Sequence, residues 1–225
     1  MEAYLISPHF FGYNVAFLII FAIITLLVSI FAYRIYKLTK QNQLKLFSIA
    51  FLAFSIGYIL RALVYFLISF RLIDVFRRGR VGRGMMPLQG LFTLEGLLGN
   101  FHVLFIIAGL VVLVYMTLKV KNIKIMLLLF GVIAISMIFT PRDLFIFHIT
   151  SSLLLAFVVL YYYDNYKKHK KFQTMLVLVA FVFLFFGQLA LIFSVQSATF
   201  FMLGRILELT AYLCILTNLI LITKK

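Results

Sequence analysis

Residues Leu46 to Phe70 read LFSIAFLAFSIGYILRALVYFLISF, an apolar run carrying a single charge, Arg61. About 20 apolar residues at a rise of 1.5 Å cross the ~30 Å hydrocarbon core of a bilayer, so this run predicts a transmembrane helix. Six more runs follow the same rule, near Asn14 to Tyr33, Leu94 to Leu118, Ile125 to Thr140, Asp143 to Tyr163, Thr174 to Val195 and Phe200 to Thr223. They are continuously apolar rather than alternating, which excludes a β-barrel. The expectation is an all-α integral membrane protein, a single domain of seven transmembrane helices over residues 1–225. Composition agrees. The chain is 65% hydrophobic and 12% charged, where a soluble domain is about 45–50% apolar and about 25% charged. Water could not hide that much apolar surface, and intrinsic disorder is excluded more firmly still.

The basic residues between the runs set the expected orientation. Arg34, Lys37, Lys40 and Lys45 lie after the first run, Lys119, Lys121 and Lys124 after the third, Lys167, Lys168, Lys170 and Lys171 after the fifth, and Lys224 and Lys225 at the end. These thirteen of the 21 Lys and Arg fall on one side. The positive-inside rule makes that side cytoplasmic, with the N-terminus outside and the C-terminus inside. Only Glu2 is charged ahead of the first run, which reads as a retained anchor and not a signal peptide. The net charge of +15 therefore needs no nucleic acid to explain it. Residues 71–93 are expected to form a basic outer loop with Arg71, Arg77, Arg78, Arg80 and Arg83. Its first half reads either as an interfacial amphipathic helix or as an extension of the second span, and Pro87 is placed to open the next helix. The loop is either solvated beside lipid headgroups or a docking surface for an anionic partner.

Ionisable residues inside spans are costly and usually face the bundle interior, so they are the most informative positions. Counting about 1.5 Å per residue, Arg61 lies about 13 Å deep, Gln188 about 10 Å, Arg205 about 8 Å and Glu208 about 12 Å from the outer side, with His148 about 7 Å into its span. His102 falls in the same outer half. Small and polar residues share helical stripes with them: Ala50, Ala53, Gly57 and Arg61; Glu95, Gly99, His102 and Gly109; His148, Ser151, Ser152 and Ala156. The expectation is a polar cavity open toward the outside. A purely structural alternative exists for each member. Arg205 and Glu208, three apart on one helix, can pair, Arg61 can join them as a triad, and each His can be satisfied by a backbone carbonyl or water.

Several chemistries are excluded. The single Cys214 cannot form an intramolecular disulfide or a CxxC motif. HExxH, GxSxG and Gly-rich phosphate loops are missing, and no Lys in the middle of the last run could hold retinal. All three Pro lie outside the runs and no internal repeat stands out, which argues against a secondary transporter. Two readings remain. In one, a noncatalytic, sensor- or receptor-like module binds a small anionic ligand through Arg61, Gln188, Arg205 and Glu208, and reports to a cytoplasmic protein partner through its basic inner loops. In the other, His102 and His148 are axial ligands to one haem b whose propionates the two Arg neutralise.

The segment Gly204-Arg-Ile-Leu-Glu-Leu-Thr-Ala-Tyr-Leu213, together with Tyr161-Tyr-Tyr-Asp-Asn-Tyr-Lys-Lys168, resembles small, uncharacterised seven-helix membrane proteins of archaea. In those proteins His and Gln are more frequent at the positions of Arg205 and Glu208. The N-outside layout is also similar to the membrane sensor module of some histidine kinases, without the kinase. The resemblance implies a multi-pass protein of a prokaryotic cytoplasmic membrane, with the lipid bilayer as its main partner, and no particular activity.

Overall fold

The computed structural model describes residues 8–77, 85–118, 126–131, 133, 144–195 and 197–223. Every regular element among them is helical: α1 (Pro8–Thr39), α2 (Asn42–Arg77), α3 (Met85–Leu118), α4 (described at 126–131 and 133), α5 (Leu144–His169), α6 (Phe172–Ile192) and α7 (Ala198–Thr223). Six of these are long and apolar enough to cross a membrane, over Tyr13–Thr39, Asn42–Phe66, Asn100–Leu118, Phe145–His169, Phe172–Ile192 and Ala198–Thr223. Most of the fourth apolar run, 125–140, lies outside the described residues. In hydrocarbon each backbone N–H and C=O must be paired within the segment, so runs with no internal Pro become continuous helices. Their outward sides stay apolar, as Ile23, Ile30, Leu153 and Leu160 show by lying more than half exposed. That pattern suits lipid and not water.

The helices overrun the apolar runs at their charged ends. α1 continues through Arg34 and Lys37 to Thr39, where a cation in the last turn favours the helix terminus. α2 continues to Arg77 and α3 begins at Met85, with Pro87 in its first turn. Helix thus occupies residues 71–77 and 85–93, and of the two readings of the Arg71 segment the backbone follows the one that continues the second helix.

Two hairpins turn in the same way. α1 passes to α2 through Lys40 and Gln41, and α5 passes to α6 through Lys170 and Lys171. Lys40 (φ 56°) and Lys170 (φ 48°) are both left-handed. Their N–H groups donate to Tyr36 O at 2.8 Å and Tyr166 O at 2.7 Å, closing each helix with a left-handed cap. The two lysines are 130 positions apart, and that offset aligns Tyr33 with Tyr163, Tyr36 with Tyr166, Lys37 with Lys167, Gln43 with Gln173, Leu46 with Leu176, Ala50 with Ala180, Phe51 with Phe181 and Gly57 with Gly187, without a gap. Tyr and Gly each occur only 12 times in the chain, so composition alone does not supply these matches. Packing agrees, since Ala50, Ala180, Phe51 and Phe181 are all fully buried. A Cβ on Gly57 would lie 3.3 Å from His102 O on α3, and one on Gly187 would lie 3.2 Å from Gly204 O on α7. The expectation that the chain holds no internal repeat is therefore corrected for the two hairpins: α1–α2 and α5–α6 share one sequence pattern and one turn.

The contacts form two three-helix units: α2 packs on α1 and α3, α6 packs on α5 and α7, and the ring closes where α1 meets α7 and α3 meets α5. Tyr58 reaches Glu208 while Phe51 lies against Tyr212, so α7 runs antiparallel to α2 and parallel to α1. Both lysine turns consequently lie at one end of the bundle, its basic end. The core runs through both units, with Phe21, Val28, Phe51, Val111, Leu113, Val158, Phe181 and Ile215 fully or almost fully buried.

Candidate functional site

Between the two units, away from the basic end, all six polar residues singled out from the sequence border one cavity: Arg61, His102, His148, Gln188, Arg205 and Glu208. Its centre is Glu208, 3% exposed on α7. A carboxylate within a membrane span persists only when its lone pairs are met. Arg205 Nη1 donates to Glu208 Oε2 at 2.9 Å, one turn earlier on the same helix. From the other unit, the Tyr58 hydroxyl donates to Glu208 Oε1. That uses the only hydroxyl proton of Tyr58, so the Tyr212 hydroxyl, 2.7 Å away, donates to the Tyr58 oxygen. Tyr212 also lies 3.5 Å from Glu208 Oε1. The guanidinium of Arg205 sits 5.2 Å from the Phe201 ring centroid and 5.9 Å from that of Phe21, where the ring faces favour a cation. Its Nε is buried and has no hydrogen-bond partner among the described residues.

The histidines are anchored on one nitrogen each. His102 Nδ1–H donates to the Gly57 carbonyl at 2.9 Å, which fixes the tautomer because a carbonyl only accepts. Gly57 permits this, since its lack of a side chain lets α2 lie close to α3. His148 Nδ1–H donates to Gln188 Oε1 at 2.8 Å, leaving the Gln188 amide N–H groups as donors in the cavity wall. Arg61 does not join a triad with Arg205 and Glu208. Its Nη2 donates to the Tyr65 hydroxyl oxygen at 3.2 Å and its guanidinium lies 5.5 Å from that ring's centroid. Asn14, 3% exposed, adds a buried amide whose oxygen has no partner among the described residues.

Two guanidinium groups against one carboxylate leave this wall a formal charge of +1 among the described residues. The cavity measures about 50 Å³, room for a few waters or a small ion. Pockets for drug-sized ligands and cofactors run to about 300–1,000 Å³. His102 and His148 could each present a free Nε2, and a nitrogen anchored through Nδ1 is how ligating histidines are commonly held. The cavity of about 50 Å³ that both histidines border is too small for a haem. No group of three metal-ligating side chains occurs among the described residues.

Tyr58, Tyr212 and Asn14 were not singled out from the sequence. Tyr58 lies three positions before Arg61 and Tyr212 four after Glu208, on the same helical faces, and that spacing was the available signal. The Glu95 side chain falls outside the described residues. Fold and site together define a multi-pass, all-helical membrane protein with a polar centre between its α1–α3 and α5–α7 units. Comparison of the chain with protein-family models, with curated proteins and with solved structures found no match.

Proposed function

We propose that the chain is a noncatalytic, receptor-like module of the cytoplasmic membrane that binds a small monovalent anion in the cavity between its two units. The observation that carries this reading is the excess of positive charge in a small, buried, polar space: Arg61 and Arg205 share its wall with one carboxylate, and Arg205 Nε is a buried donor unmet among the described residues. An unsatisfied buried donor is costly, and an anion meets both its hydrogen bond and the +1 charge. Gln188 supplies neutral donors to orient the ion, and Glu208 holds Arg205 in place.

In this reading the basic end is cytoplasmic, by the positive-inside rule, and the cavity lies toward the outside. α3 ends at the basic end and α5 begins at the opposite one, which supports a seventh crossing in the 125–140 run. Lysines on the cytoplasmic turns would offer a protein partner its contact surface.

The test is thermal unfolding of the detergent-purified chain in chloride, nitrate or formate against gluconate at equal ionic strength. The small anions are expected to raise the midpoint of the wild type, and the rise is expected to disappear in Arg205→Ala and shrink in Arg61→Ala. A wild type that no small anion stabilises contradicts the proposal and leaves the cluster with a structural role.

A further inference from the structure

Among the described residues the bundle packs as two three-helix units joined by a polar tie. Within each unit the helices approach closely through glycine: Gly57 against the His102 carbonyl, Gly109 against the Ala50 carbonyl, and Gly187 and Gly204 against each other's carbonyls. Several interhelical side-chain hydrogen bonds also stay within units, as in Ser29 to Ser48, His102 to Gly57 and His148 to Gln188. Packing between units, where α1 meets α7 and α3 meets α5, is far thinner than packing within them. Aromatic contacts and the cavity fill that seam, with Phe21 and Tyr212 centroids 5.7 Å apart and His102 and Phe147 6.3 Å apart. Among the described residues, the side-chain hydrogen bonds that cross the seam are those of Tyr58 to Glu208 and Tyr212.

That tie is coupled to the anion site. Glu208 is at once the acceptor for Tyr58 and the partner of Arg205. An anion on Arg205 would share the guanidinium with Glu208 and repel its carboxylate, so occupancy acts directly on the latch. Glu208 also stands ten residues from Ala198 and fifteen from Thr223, about 15 Å and about 22 Å along α7. Parallel repeats with a solute site at their interface, moving as bodies about it, form a general design for alternating access. The helices here are unbroken, so side chains and not helix ends hold the solute.

We propose that the protein is a carrier: the α1–α3 and α5–α7 units rock about the Tyr58 latch and pass a small monovalent anion from one side of the membrane to the other. This rests on the anion-binding reading and goes beyond it, from reporting an ion to moving it. The experiment is exchange of radioactive chloride in vesicles reconstituted with the full chain, a charge-neutral assay, beside chloride binding measured by thermal shift. The wild type is expected to show saturable exchange above protein-free vesicles. Arg205→Gln raises half-saturation roughly 10- to 100-fold, as loss of one charged hydrogen bond requires, and Arg205→Lys restores part of it. Tyr58→Phe, which keeps the ring and removes the latch, speeds exchange roughly 2- to 10-fold while chloride still binds. Chloride binding by the wild type with exchange no faster than in empty vesicles overturns the carrier and leaves the binding site standing. Neither binding nor exchange overturns both, and exchange that never saturates overturns the assignment of the path to this cavity.

Discussion

Replacing Glu208 with Gln separates the structural share of the ion pair from its share in anion binding. Gln keeps the shape and an oxygen for the Tyr58 hydroxyl, but it removes the charge and turns an amide N–H toward Arg205 Nη1, which now donates to Oε2 at 2.9 Å. Two unit charges about 4 Å apart attract by about 4 kcal/mol at an effective dielectric constant of 20, and breaking a buried pair by removing one partner costs about 3–5 kcal/mol. The Arg205 side chain is 15% exposed, which places the loss near the lower figure, about 3 kcal/mol. At roughly 2–4 °C per kcal/mol for a chain of this size, the midpoint in gluconate falls by about 6–12 °C. The cavity wall meanwhile goes from +1 to +2, so chloride should bind the variant more tightly. A tenfold gain in affinity returns about 1.4 kcal/mol at saturation beyond the stabilisation of the wild type. The chain has no Trp, so far-ultraviolet circular dichroism is the suitable readout. A variant as stable as the wild type in gluconate refutes the ion pair as a buried partner set. A destabilised variant that chloride rescues no better than the wild type refutes the electrostatic argument for an anion.

Other expectations follow from single contacts. A Cβ on Gly109 would overlap the Phe54 ring and lie 2.7 Å from Ala50 O, so Gly109→Ala should cost about 1–3 kcal/mol in unfolding free energy. Purified protein should be colourless, because the cavity that His102 and His148 border is too small for a haem; a Soret band lost on His102→Ala or His148→Ala would contradict that geometry. With Cys214 changed to Ser, a cysteine placed at Lys170 should label only from the cytoplasmic side, and labelling from outside would reverse the orientation.

Much of this was legible before the fold. Continuous apolar runs mark spans because hydrocarbon admits only helices, and the rarity of ionisable groups there made Arg61, Arg205, Glu208, His102 and His148 conspicuous. The small-residue stripe Ala50, Ala53, Gly57 pointed correctly to close packing, which the contacts of Gly57 and of Gly109 with Ala50 bear out. Helix ends were less legible, because hydropathy stops at Tyr33 and Tyr163 while the helices continue through Lys37 and Lys167 into the polar zone. Tyr58 and Tyr212 were missed because tyrosine counts as apolar in such a run, and only the fold shows which carboxylate its hydroxyl meets. The repeat escaped because its identities sit at the turns and at one glycine, against a background of interchangeable Leu, Ile, Val and Phe. Matching backbone at Lys40 and Lys170 supplied the register that made them visible.

The most direct measurement of the central claim is anomalous scattering from crystals of the full chain grown in bromide, an anion of the proposed size and charge. The account expects one buried bromide peak between the two units, within hydrogen-bonding distance of Arg205 Nε and beside Arg61 and Gln188. Bromide found only at the surface lysines, with the cavity holding none, would contradict it.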